Sequence, residues 1–195
     1  MPILAQAVLA SHNPGKVKEF QGWLQPWIGE LLALPATIEI AETADSFVGN
    51  ACLKAATAAK QMGQWAIADD SGLAVHALQG APGIYSARYG ATDAERIERL
   101  LQEMADVSDR AAEFICVIAL ARPDGTIAVT TEGRCAGEIL TAPRGQGGFG
   151  YDPVFWVPSQ QRTFAEMSPV EKQQVSHRGQ ALQRLREYFQ TLNPS

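Results

Sequence analysis

The chain has 195 residues, 46% hydrophobic and 19% charged, which is an ordinary balance for one folded domain with a substantial core. Its net charge of −5 argues against a polynucleotide-binding protein, but it allows a mononucleotide whose phosphates meet a few basic residues and a divalent cation. The sequence has neither an apolar run long enough to span a membrane nor a signal-peptide pattern. We therefore expect a cytoplasmic protein that binds neither membranes nor nucleic acid.

Strands and helices alternate in the first part of the chain. A strand is predicted over residues 5–10, followed by a helix that begins at Asn13-Pro14 and runs to Leu24. The stretch 26–35 is ambiguous, and residues 37–40 are predicted to form a short strand. The three cysteines are too far apart for a zinc site or a disulfide framework, which predicts buried thiols at Cys52, Cys116 and Cys135.

A second helix is predicted over residues 46–62, because apolar residues recur there at steps of three and four. Its predicted inner face carries Val48, Cys52, Ala55, Ala59 and Met62. A buried strand over residues 65–68 is then expected to end abruptly at the pair Asp69-Asp70.

Turn-rich sequence at residues 80–83 leads to Thr92 and Glu95, a capping box for a third helix. Strands are predicted over residues 114–121 and 126–131, joined by a tight turn. A glycine-rich loop at 145–150 and a strand at 154–157 follow. A second capping box at residues 168–171 precedes a last helix that runs toward Leu192. This order predicts an α/β or α+β fold with a mixed sheet.

Residues 11–16 lie between a predicted strand end and a helix start, where backbone N–H groups and the helix dipole attract phosphate. Lys16 in the first helical turn opposes that dipole, and a bound anion would remove the conflict. The competing interpretation is an ordinary turn with a solvated lysine.

The adjacent carboxylates of Asp69 and Asp70 repel each other at the end of an apolar strand, so they are costly to hold together without a cation. This pattern favours a metal or catalytic site. The competing interpretation is an Asp-rich turn whose side chains only cap the backbone.

Two further segments carry candidate ligand contacts. In residues 147–153, glycines allow close backbone approach, Phe149 could stack on a base, and Asp152 could accept a hydrogen bond from a base or ribose. Near the end of the chain, Lys172, His177 and Arg178 supply cationic or donor groups for carbonyl or phosphate oxygens. The competing interpretations are a glycine hairpin with a core aromatic and a solvated helix face.

Together these segments resemble the inosine triphosphate pyrophosphatase family, and within it the bacterial members that act on dITP and XTP. The resemblance covers nearly the whole chain. It rests on the order and spacing of the motifs at residues 9–16, 68–73, 80–89, 147–153 and 176–179.

The resemblance implies a long curved mixed sheet, with helices in two lobes around a central cleft, formed by one domain over residues 1–195. It also implies a homodimer with one Mg²⁺ per subunit. The implied reaction is hydrolysis of aberrant purine nucleoside triphosphates, such as ITP, dITP and XTP, to the monophosphate and pyrophosphate.

The resemblance also assigns roles to single residues. It implies that Glu42 and Asp70 hold Mg²⁺, and that Asp70 is the usual proton acceptor, a role that Asp69 could share. The residues implied to contact substrate are Ser11, His12, Asn13, Pro14, Gly15, Lys16, Ser71, Phe149, Gly150, Tyr151, Asp152, Lys172, His177 and Arg178. Lys16 and Lys172 would stabilise the leaving pyrophosphate.

Three positions depart from the family pattern: His12 and Gly49 replace a common glycine and a common glutamate, and His76 replaces a common acidic residue. Two alternative functions are a pyrimidine-directed pyrophosphatase of related fold and a nucleotide-binding module without catalysis. An RNA-binding protein is a third, disfavoured by the acidic balance.

Overall fold

The computed structural model of the protein describes residues 2–192, and the side chains of Pro14 and Lys18 lie outside the described part. Within it the strands are β1 Leu4–Leu9, β2 Ile28–Ala33, β3 Ala66–Val75, β4 Ala111–Ala121, β5 Ile127–Ile139, β6 Phe155–Val157 and β7 Arg162–Thr163. The helices are α1 Pro14–Leu24, α2 Phe47–Met62, α3 Asp93–Glu103, α4 Pro169–Val175 and α5 His177–Leu192.

The strands form one sheet in the order β2-β1-β3-β4-β5-β6-β7. Strand β1 pairs in parallel with β2 and β3, whereas β6 pairs antiparallel with β5 and β7. The sheet is therefore mixed, and the predicted α/β class is confirmed.

Near the N-terminus the predicted strand and helix are confirmed as β1 and α1. Residues 26–35, which were ambiguous in the sequence, contain the edge strand β2, whose formation depends on long-range pairing with β1. The predicted strand at 37–40 is wrong, since these residues form no strand. Pro35 has no N–H to donate to a sheet, and the Ile38 N–H donates to its carbonyl oxygen at 3.0 Å, which closes a turn.

Helix α2 begins as predicted, because the Ser46 side chain accepts a hydrogen bond from the Gly49 N–H. Its buried face differs from the prediction, since Val48 is 46% exposed. Cys52 and Met62 are half-buried. The residues that α2 buries are Asn50, Ala51, Lys54, Ala55, Ala58 and Ala59. Two polar residues thus lie on the inner face of an alanine-rich helix.

The prediction that the third strand ends at Asp69 is wrong. Strand β3 continues through Asp69 and Asp70 to Val75, and both carboxylates are buried. The interpretation of this pair as an Asp-rich turn is therefore excluded. The carboxylates are tolerated inside a strand because each is paired with polar or cationic partners, which offsets the cost of burial.

The second half follows the predicted order with longer strands. Helix α3 begins at the predicted cap, where Thr92 accepts from the Glu95 N–H. Strand β4 begins three residues before the predicted start, β5 extends eight residues beyond its predicted end, and β7 was not predicted. The capping box of Ser168 and Glu171 opens α4, and a break at Ser176 separates α4 from α5.

The described chain divides into two compact units, and strands β3, β4 and β5 run through both. Among the described residues, unit 1 comprises residues 2–70, 117–132 and 181–192, and unit 2 comprises residues 71–116 and 133–180. The core of unit 1 is rich in alanine from α2 and β3. The core of unit 2 is aromatic, with Phe114, Phe155 and Phe164 in mutual contact.

All three cysteines are free thiols, as predicted, although Cys52 is only half-buried. None of the helices within residues 2–192 is long and apolar enough to cross a membrane.

Candidate active site

A network of paired charges in unit 1 brings together two of the predicted segments. Lys16 Nζ, from the first turn of α1, lies 2.8 Å from Asp69 Oδ1. The Asp69 side chain is only 1% exposed, so this ammonium group compensates a carboxylate that water cannot reach. The conflict between Lys16 and the helix dipole is thus offset within the protein itself.

Asp70 takes different partners, because successive residues of a strand point to opposite faces. Its Oδ2 accepts a hydrogen bond from Asn50 Nδ2 at 3.1 Å, and its Oδ1 lies 3.6 Å from Lys54 Nζ. The same ammonium group lies 2.5 Å from Glu42 Oε1. Lys54 therefore links the two carboxylates that the resemblance assigns to the metal.

Asn50 also fixes the segment that follows Glu42. This side chain is fully buried, and its Oδ1 accepts from the Ala44 N–H at 3.0 Å while its amide donates to Asp70. One asparagine thus holds together α2, strand β3 and the chain next to Glu42.

The electrostatics of this network raise two pKa values. Burial raises the pKa of Asp70, and the charges of Glu42 and Asp69 raise it further, while Lys54 and the Asn50 hydrogen bond oppose them. Burial alone would lower the pKa of Lys54, but the charges of Asp69, Asp70 and Glu42 outweigh burial and raise it. Lys54 is therefore a cation at neutral pH, and Asp70 is a better proton acceptor than an exposed aspartate.

Lys54 and Asn50 were missed by the sequence analysis. They stand four residues apart in a helix and each is followed by alanine, so the available signal was a pair of polar residues on a helix face that is rich in alanine. Fully buried lysines are rare unless they are paired, and the pairing partners are distant in sequence.

The residues of this network fit a Mg²⁺ ion. No cluster of three or more histidine, cysteine or acidic side chains able to hold a metal occurs among residues 2–192. Magnesium, however, commonly uses one or two carboxylates and completes its shell with water and substrate phosphates. Glu42 and Asp70 supply such a set, and they already share a cation in Lys54.

The predicted phosphate segment, residues 11–16, is structured by its own side chains. Ser11 Oγ accepts from the Asn13 N–H at 3.1 Å, and Asn13 Oδ1 accepts from the Lys16 N–H at 3.3 Å. The ring of His12 is exposed, and its Nε2 lies 3.2 Å from the Pro35 carbonyl oxygen. Among the residues of this segment, the structure joins Lys16 to the aspartate pair.

A second cluster, in unit 2, is built on the glycine-rich loop. Phe149 is 54% exposed, which excludes the alternative interpretation of this segment as a glycine hairpin with a core aromatic. Its N–H donates to Asp152 Oδ2 at 2.9 Å, and Gly148 and Gly150 adopt positive φ angles of 74° and 61°. A side chain at 148 would collide with the Asp152 carboxylate, so the loop requires glycine there.

Two cations flank the Phe149 ring. Lys172 Nζ lies 4.7 Å from the ring centroid and 2.5 Å from Asp152 Oδ2, and the Arg178 guanidinium lies 5.9 Å from the ring. Arg178 Nη2 also donates to Ser71 Oγ at 3.1 Å. Two predicted substrate contacts, Lys172 and Arg178, thus flank one exposed aromatic ring, and two others, Asp152 and Ser71, bond to these cations. The arrangement suits a heterocycle that carries acceptor oxygens.

His177 and Gly179 belong to the junction of α4 and α5. The His177 ring is buried and stacks on Phe114, with centroids 4.7 Å apart, so it is also part of the aromatic core. At Gly179 a Cβ would lie 1.7 Å from the Gln173 carbonyl oxygen, which explains the glycine that follows Arg178.

The structure places two of the three residues that depart from the family pattern, Gly49 and His76. Gly49 is in the first turn of α2, and a Cβ there would lie 2.7 Å from Ala44 Cβ. The local packing therefore suits glycine, next to the asparagine that contacts Asp70. His76 is exposed and begins a short 3₁₀ turn.

The fold agrees with the comparisons to known proteins. The family model for Ham1 proteins matches residues 7–188, so the chain belongs to the Ham1 family. This confirms the resemblance seen in the sequence.

Individual relatives sharpen the assignment. The dITP/XTP pyrophosphatase of Thermosynechococcus vestitus is 96% identical over 194 residues, and the match covers 100% of this chain and 100% of the relative. That of Synechocystis sp. is 57% identical over 95% of this chain and 94% of the relative. The structure of a HAM1 protein from Coxiella burnetii matches with a TM-score of 0.89 and 46% identity, covering 98% of this chain and 100% of that one. The Staphylococcus aureus Ham1 protein also gives 0.89, at 38% identity and coverage of 96% and 100%.

Proposed function

We propose that this protein hydrolyses aberrant purine nucleoside triphosphates, such as ITP, dITP and XTP, to the monophosphate and pyrophosphate, and so cleanses the nucleotide pool. The observation that carries the proposal is the 96% identity, over the full length, to a protein named dITP/XTP pyrophosphatase. The charged network around Asp69 and Asp70 supplies the chemistry that such a reaction needs.

Mg²⁺ is the proposed cofactor, held by Glu42 and Asp70. A bound magnesium ion would neutralise charge on the phosphate oxygens during displacement. When all are ionised, Asp69, Asp70 and Glu42 exceed the ammonium groups of Lys16 and Lys54 by one negative charge. The network is therefore suited to one further cation.

We assign the proton acceptor role to Asp70. This role follows the family resemblance, and the Asn50 hydrogen bond fixes the orientation of the carboxylate. Asp69 is engaged by Lys16, so its proposed role is to hold that lysine toward the phosphates. Residues 11–16 are proposed to bind the triphosphate.

The bond that is broken can be tested with isotopic water. In-line attack at the α-phosphorus, in H₂¹⁸O, places the label in the monophosphate and leaves pyrophosphate unlabelled. We expect one labelled oxygen in IMP by mass spectrometry after a single turnover of ITP. Label in pyrophosphate, or release of inorganic phosphate alone, would contradict the proposed reaction.

Base selection is assigned to the cluster around Phe149. Hypoxanthine and xanthine present a carbonyl at C6 and an N–H at N1, whereas adenine presents the opposite polarity. A guanidinium donor to the 6-oxygen would leave adenine with an unpaired polar edge, which is strongly disfavoured. Arg178 is the proposed donor, because it is buried and lies beside the exposed ring. Lys172 was expected to stabilise the leaving pyrophosphate; because it pairs with Asp152 and lies over the Phe149 ring, we propose for it a role near the base instead.

Replacing Arg178 with Ala should lower the preference for ITP over ATP by about tenfold or more, because the donor to the 6-oxygen is lost. Arg178→Lys should be intermediate, since it keeps the charge without the planar fork. The kcat/KM ratio for the two substrates is the measurement. Arg184→Ala, on the same helix, is the control and should keep the parent ratio. An unchanged ratio in Arg178→Ala would remove Arg178 from base recognition.

We further propose that the protein acts as a homodimer in the cytoplasm, as the family resemblance implies. Sedimentation equilibrium should give twice the mass of one chain, and a monomeric mass at micromolar concentration would contradict the dimer.

A further inference from the structure

Residues 83–93 support the glycine-rich loop of unit 2, although the proposed reaction gives them no role. Ser86 is at the centre of this support: its Oγ accepts from the Leu73 N–H at 2.9 Å and donates to the Gly83 carbonyl at 2.6 Å. Its own carbonyl accepts from the Tyr151 hydroxyl at 3.0 Å. The segment therefore links strand β3 to the residue directly after the loop.

A second contact reaches the tip of the loop. Asp93, the first residue of α3, accepts a hydrogen bond from the Gly150 N–H at 2.7 Å through its Oδ2. Its Oδ1 pairs with Arg96 Nη1 at 2.7 Å, and Arg96 Nε donates to the Gly90 carbonyl at 3.0 Å. The pairing of Oδ1 with Arg96 thus orients the Asp93 carboxylate so that Oδ2 accepts the hydrogen bond from the loop.

The tip of the loop depends on such contacts. Gly148 and Gly150 have positive φ and no side chains to pack, and Phe149 between them is largely exposed. Glycine-rich segments lose much conformational freedom when they are ordered, so fixed hydrogen bonds decide how well the tip is held. The N–H groups of Phe149 and Gly150 are both bonded to carboxylates, from Asp152 within the segment and from Asp93 57 residues away.

We propose that Asp93 is a positioning residue, which fixes the Gly150 backbone and thereby places Phe149 for the purine base. The inference rests on the proposed function, because it takes Phe149 as the surface that receives the base. Asp93 does not touch the substrate. It acts by lowering the cost of ordering the loop when the base binds, so its loss raises KM and leaves kcat nearly unchanged.

A simpler role for Asp93 would be local to its helix. A carboxylate in the first turn of α3 is favourable toward the helix dipole, and its pairing with Arg96 adds to that stability. In that case removal of the Arg96 side chain would have the same effect as removal of the Asp93 side chain. The oxygen that accepts from Gly150 would then have no effect on KM. Arg96→Ala and Asp93→Asn separate the two roles, since asparagine keeps an oxygen that can accept from Gly150 without the charge.

The kinetic experiment compares Asp93→Ala, Asp93→Asn and Arg96→Ala with the parent, using ITP. We expect Asp93→Ala to raise KM about fivefold to tenfold, as for one hydrogen bond of ordinary strength, with kcat within about twofold. Asp93→Asn should restore most of the parent KM, and Arg96→Ala should change KM less than about twofold. Equal KM values in Asp93→Ala and the parent, or equal effects of all three changes, would overturn the proposal.

Hydrogen exchange of the nucleotide-free protein gives a readout that does not depend on activity. In Asp93→Ala, amides of residues 147–152 should exchange about tenfold faster, while those of β4 and β5 keep the parent rate. Arg96→Ala should leave the loop amides protected. If the parent released no pyrophosphate from ITP, the proposed function would fail, and exchange would still decide the role of Asp93. Unchanged loop exchange in Asp93→Ala would overturn it.

Discussion

Replacing Asp70 with Asn should lower kcat for ITP hydrolysis about a thousandfold or more and leave the fold intact. The amide can neither accept the proton from the attacking water nor supply a carboxylate to magnesium. The fold should survive because the amide oxygen can still accept from Asn50, and Lys54 keeps its pair with Glu42. Pyrophosphate release and thermal unfolding of the same preparation measure the two effects.

Asp69→Asn is the matched control, since it makes the same change at the adjacent residue. Asp69 is engaged by Lys16, so we expect a loss of tens-fold, with a lowered melting temperature because Lys16 loses its partner. A larger loss in Asp69→Asn than in Asp70→Asn would transfer the role of proton acceptor to Asp69. Near-normal turnover in Asp70→Asn would remove Asp70 from the mechanism.

Replacing Lys54 with Met should destabilise the protein by about 3 kcal/mol and abolish most activity. The change removes the ammonium group between Glu42 and Asp70, so the buried Asp70 carboxylate loses the cation nearest to it. For a chain of this length, that loss corresponds to a melting temperature roughly 10 °C lower. Millimolar Mg²⁺ should raise the melting temperature of this variant more than that of the parent, because a second cation can take over part of the compensation.

Lys60→Met, in the same helix, is the control for this change. Lys60 is exposed, so its replacement should alter the free energy of unfolding by less than about 0.5 kcal/mol. Equal melting temperatures for Lys54→Met and Lys60→Met would show that Lys54 does not compensate the carboxylates.

Local chemistry was predictable from the sequence. The caps at Thr92 and Ser168 use side chains that bond to the backbone three residues later, so each can be identified within four residues of sequence. The starts of α3 and α4 were therefore placed correctly, and the start of α2 followed from the spacing of its apolar residues. The same applies to the exposed Phe149, whose glycine neighbours offered no apolar company.

Long-range pairing was not predictable. Strand β3 was expected to stop at Asp69, because nothing near that residue could compensate two buried carboxylates. Lys16, which pairs with Asp69, is 53 residues away, and Asn50 is 20 residues from Asp70. The edge strand β2 depends in the same way on β1, because each paired residue of β2 bonds to a β1 residue more than twenty positions earlier in the chain.

The inner face of α2 shows a different difficulty. Alanine is small and only weakly apolar, so alanine-rich helices leave the choice of buried face open, and larger apolar residues such as Val48 dominated the prediction. The structure exposes Val48 and buries four alanines together with Lys54, whose burial is offset by its paired carboxylates. Because the prediction chose the wrong face, it did not include Asn50 and Lys54, which belong to the candidate site.

Pyrophosphate release from ITP, XTP, dITP, GTP, ATP and dTTP, each measured with Mg²⁺ and with EDTA, is the most direct test of the proposed reaction. We expect release from ITP, XTP and dITP that requires Mg²⁺, with little release from ATP, GTP or dTTP. Release mainly from dTTP, release that persists in EDTA, or binding of ITP without any release would contradict it.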